Sequence, residues 1–196
     1  PGPRHSRRPF HPSPALGRRR LRNGLCRLSR RSRLSPGRTQ AAAARLRAQR
    51  VAQLVLLAPA AGYATASTAL REKKLADRLA NLARLGPAGM AQARASAMLT
   101  PDATDEQRTF VQHVMAQIDP GGYTQAARML AGGDLLSDLR AVSCAVQVAS
   151  GDADTVTPPQ GCRDLAREVN APYRSLGPVG HSCPLQAAEQ VNRLLG

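Results

Sequence analysis

The sequence predicts an α/β fold with a parallel sheet and flanking helices, and three observations carry that expectation. Late in the chain, "CAVQVAS" (144–150) is a short apolar run, and "PPQGCRDLAREV" (158–169) follows it as a helix with prolines in its first turn. "PYRSLG" (172–177) is a second short strand, and "LQAAEQVNRLLG" (185–196) is a terminal helix ended by Gly. Earlier, "VAQLVLLAPAAG" is nearly continuous in apolar residues from Val51 to Leu57 and is stopped by Pro59. Such a run reads as a strand buried on both faces, which is the habit of parallel sheets. Strands alternating with helices complete the pattern.

"RTQAAAARLRAQR" (38–50) is a strong helix former. Between the first apolar run and Cys144, residues 62–140 read as helical. Leu75, Leu79 and Leu82 fall at helical spacing, and Gly86-Pro87 is expected to stop that helix. Met90, Met98 and Leu99 fall in a second short helix. Thr104 and Gln107 form a capping box ahead of Phe110, Val114 and Ile118. "DPGG" (119–122) ends that helix, and Tyr123 to Leu130 is another. Met and aromatic positions on these faces are read as core.

Charge divides the chain. Residues 1–50 hold fifteen arginines, no lysine and no acid, and from Val51 onward bases and acids balance at 13 each. The net charge of +15 therefore belongs to the first fifty residues, and the rest reads as one neutral, soluble domain. Three readings stay open for residues 1–34. They are a disordered Arg/Pro/Ser tail, an arm for nucleic acid or anionic membrane, or a GC-rich coding segment read out of frame. Phe10 is the single aromatic there, which makes nucleic acid the weaker partner. No stretch is long and apolar enough for a secretory signal or a membrane span, so a cytoplasmic protein is expected. Cys26, Cys144, Cys162 and Cys183 show no C-x-x-C pair and no metal spacing with the histidines, and are read as reduced thiols.

Two strand ends carry titratable groups, and parallel sheets gather their sites at the carboxyl ends of strands. The first end carries Asp152 and Asp154 in "GDADTVTPP"; the second carries His181 after Gly180. A His beside a buried carboxylate can act as a general base, because the acid fixes its tautomer and stabilises the imidazolium. Against this stands a plainer reading, in which the aspartates cap a turn and the Gly-His pair is a solvated loop. Neighbouring parallel strands would bring these two loops together.

With those motifs in hand, residues from about Ser35 to Gly196 resemble the C-terminal half of an α/β-hydrolase. "GDADTVTPPQGCRDLA" is similar to that family's G-x-x-D-x-h-x-P-P loop, and "GHSCPLQAAEQVNRLL" to its G-H loop and closing helix. The resemblance implies Asp154 as triad acid and His181 as triad base, with Asp152 a turn residue. It implies a core over 35–61 and 139–196 and a helical cap over 62–138. The cap and "GCRDLA" resemble enol-lactone hydrolases and related small esterases. Ser35 in "RLSPGRTQ" lies 16 residues before Val51, where the family carries its nucleophile in G-x-S-x-G.

That elbow departs from the pattern. Arg33 stands at the first glycine, and Pro36, which has no N–H, stands where the family supplies an oxyanion donor. Cys26 lies too far from Val51 to replace Ser35, and Cys183 reads as a small apolar side chain. Only 34 residues precede Ser35, where the family has several strands. The expectation is a hydrolase of small esters or lactones, truncated or frame-shifted at its amino end and weakly active or inactive, with an open sheet edge. It needs no metal or organic cofactor. The alternatives are an Arg-rich nucleic-acid-binding protein and a non-catalytic relative that binds a small ligand.

Overall fold

A computed structural model describes residues 51–196. The Arg-rich tract, its nucleic-acid reading, the helix expected over 38–50, Cys26 and Ser35 all lie outside the described residues. Within them a three-stranded parallel sheet runs in the order β1 (Gln53–Leu57), β2 (Ala145–Ser150), β3 (Tyr173–Ser175). Leu56 pairs with Val148, and Val148 in turn with Tyr173.

Side chains alternate across a strand, so Val148 and Ala149 point to opposite faces of β2. Both are wholly buried, which requires cover on both sides. On one face Val148 and Leu56 pack with Leu135 and Leu139 of α4 (Leu135–Arg140) and with Cys162, Leu165 and Ala166 of α5 (Pro159–Glu168). On the other, Ala149 packs with Leu176, Cys183, Ala187 and Val191, the last from α7 (Ala188–Leu195), which follows the single turn α6 (Cys183–Gln186). Pro159 opens α5, where a missing N–H leaves no helical bond unmade.

β1 departs from expectation. Leu56 is buried, but Leu54, Val55 and Leu57 are only partly so. An apolar run does not itself determine burial on both faces; neighbours do, and β2 is the one strand paired with β1 among the described residues.

Three helices and a 3₁₀ turn separate β1 from α4. The first, α1 (Thr68–Arg94), is capped by the Ser67 hydroxyl, which accepts from the Leu70 N–H at 3.3 Å. Gly86-Pro87 bends this helix rather than ending it. Gly86 takes φ 61° and ψ 177°, a conformation open to glycine, and Pro87 restarts the helix in a first turn where it is tolerated. The 3₁₀ turn, Ala95–Met98, holds Met98, while Leu99 is extended. Before α2 (Asp105–Ala116) both bonds of the Thr104–Gln107 capping box form, at 3.2 and 3.1 Å, a device worth about 1 kcal/mol.

The buried face of α2 is not the one expected. Val111 is buried against Ala95 and Leu99, while Phe110 and Val114 are exposed. Asp119 starts a helix rather than ending one: its side chain accepts from the Gly122 N–H at 2.6 Å and caps α3 (Pro120–Gly132). No helix among the described residues is long and apolar enough to cross a membrane.

Candidate active site

The loop leaving β2 and the loop leaving β3 are zipped together by backbone bonds. Leu176 donates to Ser150 O at 3.0 Å, Asp152 to Gly177 O at 2.9 Å and Ala153 to Val179 O at 3.1 Å. Gly151 makes this approach possible, since a Cβ there would lie 2.0 Å from the Val179 carbonyl oxygen. The second loop is also tied to the helical layer. Ser182 donates to Met98 O at 2.7 Å, and Gln186 reaches the Thr100 hydroxyl at 2.6 Å while accepting from Gly180 N. His181 is thus fixed from two sides.

Asp154 turns back into its own loop. Its Oδ1 accepts from the N–H groups of Val156 at 2.8 Å and Thr157 at 2.9 Å. Its Oδ2 accepts from the Thr157 hydroxyl and from His181 Nδ1, each at 2.9 Å. The residue is only 3% exposed, yet no buried side-chain N or O among the described residues lacks a partner. Burial alone would raise this carboxyl's pKa. The N–H of Thr157, the His181 ring, the N–H of Val156 and the Thr157 hydroxyl outweigh it and hold the group below the ordinary carboxylate value. An acid kept ionised in this way holds the proton on His181 Nδ1 and leaves Nε2, on the opposite edge of the ring, as the basic nitrogen.

Asp152 does not face His181. It accepts from the Ser175 hydroxyl at 2.7 Å and lies 3.6 Å from the Arg163 guanidinium, as a turn residue tying two loops. Cys183 is fully buried, and burial together with the Asp154 charge pushes its thiol up to about 11, so it packs as an apolar group.

Thr157 is the residue sequence reasoning missed. Its hydroxyl also lies 3.0 Å from the Ala58 carbonyl and 3.1 Å from His181 Nδ1, linking the end of β1 to the Asp–His pair. The available signal was a threonine three residues after the aspartate, the offset at which a side chain can meet an Asx-type turn. Ala58 meets it at a conformational cost: its φ is 47°, a left-handed value that is unfavourable for a residue with a Cβ.

His181 borders two cavities. One, of about 460 Å³, is lined by the Ala58–Tyr63 segment, Arg78, Leu130, Thr157 and Cys162. The other, of about 370 Å³, is apolar and includes Met98, Phe110, Val114 and Leu185. Phe110 and Val114 therefore form a wall beside the imidazole loop rather than part of a core.

The fold that carries these loops is similar to several known structures. An esterase from Thermogutta terrifontis superposes with a TM-score of 0.68 at 23% identity, over 80% of this chain and 58% of that one. The chain has part of the α/β-hydrolase fold. An enol-lactonase from Burkholderia xenovorans LB400 gives 0.66 at 20% identity, over 79% and 58%. A hydrolase from Oleispira antarctica gives 0.63 at 16%, over 80% and 59%. The chain thus spans less than two thirds of the length of these α/β-hydrolases. No protein-family model and no curated protein sequence matches it.

Proposed function

We propose that this α/β-hydrolase chain cleaves a small carboxylic ester or lactone by Ser-His-Asp acyl transfer. The observation that carries the proposal is the 2.9 Å contact between His181 Nδ1 and the buried Asp154 carboxylate. The esterase and enol-lactonase relatives in fold support the substrate class.

In this reading the Ser35 hydroxyl oxygen attacks the carbonyl carbon as His181 Nε2 takes its proton. Asp154 stays ionised and stabilises the imidazolium. The tetrahedral intermediate collapses as Nε2 returns that proton to the departing alkoxide, leaving an acyl-serine and a free alcohol. Water then attacks the acyl carbon, again losing its proton to Nε2. As the ester bond to Ser35 breaks, the serine oxygen recovers that proton, and a carboxylic acid departs. Helices α1 to α3 serve as the cap over the cavities beside His181.

On this reading slow turnover is the expected outcome. Pro36 has no N–H to offer as an oxyanion donor, a loss of roughly 10²–10³ in rate, and Arg33 stands where the family's elbow motif has a glycine. A fluorophosphonate probe followed by peptide mass spectrometry tests the assignment, because it reads serine nucleophilicity without requiring turnover. The expected result is slow labelling at Ser35 that disappears in His181→Ala. Labelling that persists undiminished in that variant, or that falls on other serines alone, would remove the triad. Vigorous ester turnover abolished by Ser35→Ala would leave the triad standing and refute the argument from the elbow.

A further inference from the structure

The bend at Gly86 folds α1 around a small cavity of about 180 Å³, well supplied with charge of one sign. Arg78 and Arg84 line it from the segment before the bend, and Arg94 from the segment after it. No carboxylate among the described residues is within ion-pair distance of any of the three; Asp77, next to Arg78 in sequence, pairs with Lys73. Two of the guanidinium groups are partly ordered. Arg78 stacks over the Tyr63 ring with its guanidinium carbon 5.7 Å from the ring centroid, and Arg84 donates to the Asn81 side-chain oxygen at 3.1 Å. That bond leaves the Asn81 amide N–H groups available. Tyr123 of α3 also lines the cavity and can offer a hydroxyl.

We propose that this cavity binds a compact oxyanion of two or more negative charges, a phosphate group or a dicarboxylate. Three like charges around a confined volume repel one another, and an anion between them turns that repulsion into attraction. Guanidinium groups present paired N–H donors that match carboxylate and phosphate oxygens two at a time. Asn81 and Tyr123 supply neutral donors for oxygens that the guanidinium groups do not reach. Arg78 also borders the cavity of His181, so the anion site adjoins the candidate active site. The site stands on the charge and geometry of α1 and does not require the hydrolase assignment.

The test is calorimetric titration of the full chain with inorganic phosphate and, separately, with succinate, at ionic strength held constant with sodium chloride. The arginines of residues 1–50 are common to every variant, so their contribution cancels between chains. The expected result is a saturable site that weakens at least tenfold in Arg84→Gln/Arg94→Gln and is unchanged in Arg193→Gln. The tighter of the two ligands identifies the source of the oxyanion. In the unmodified chain the Tyr123 ring signals shift saturably with the same ligand. Affinity that is equal in all three chains, the absence of saturable binding, or a Tyr123 ring that does not respond would each overturn the proposal.

Discussion

Asp154→Ala should lower the stability of the fold by about 3–5 kcal/mol in urea denaturation near neutral pH. The substitution removes the acceptor for two backbone N–H groups, a hydroxyl and the His181 ring, in a place that water scarcely reaches. Asp154→Asn keeps one acceptor oxygen for the loop and should lose far less, about 1–2 kcal/mol. The two effects separate further with pH. Asp154 has its pKa lowered by folding, so ionisation adds stability above the unfolded-state value, and that stability is lost as pH falls through the folded-state value. The gap between the unmodified chain and Asp154→Asn should shrink as pH falls below about 4. A gap that widened toward acid would mean that folding raises this carboxyl's pKa.

Gly151→Ala should be nearly as damaging, at about 3 kcal/mol or more. The new Cβ would sit 2.0 Å from the Val179 carbonyl oxygen and 2.7 Å from its carbon. Those are backbone atoms and cannot swing aside, so the two loops must part. Parting them stretches the bonds from Asp152 to Gly177 and from Ala153 to Val179, and draws Asp154 away from His181. Gly161→Ala is the matched comparison. Nothing lies within 4 Å of a Cβ at that position in α5, and replacing a helical glycine there should raise stability by about 0.5–1 kcal/mol. Equal midpoints for the two variants would show that the loop crossing is not the tight junction described here.

Much of this arrangement was legible in the sequence because it depends on local chemistry. The run 144–150, the prolines at the start of α5 and the closing helix each declare themselves by pattern; the strand ends point to Asp152, Asp154 and His181, and only the family resemblance separates Asp154 from Asp152. What stayed hidden depends on neighbours. Phe110, Val111 and Val114 are all apolar, so the pattern of α2 permits more than one buried face, and contact with Ala95 and Leu99 selects Val111. At Gly86-Pro87 the sequence marks an interruption but not that the helix resumes. Thr157 looks like any loop threonine until β1 delivers the Ala58 carbonyl to it from 99 residues away in sequence. Gly151 and Gly180 are each required by close approach of a second backbone, which no local pattern announces.

The claim at the centre of this account is that the Asp154–His181 pair serves ester cleavage. Its most direct test is the initial rate of p-nitrophenyl acetate hydrolysis by the full chain, compared with His181→Ala under identical conditions. The imidazole is partly exposed, so its loss should change folding stability by only about 1 kcal/mol and leave the comparison between folded chains. The account predicts a small rate above buffer for the unmodified chain that falls to the buffer rate when His181 is removed. Equal rates for the two chains would contradict it.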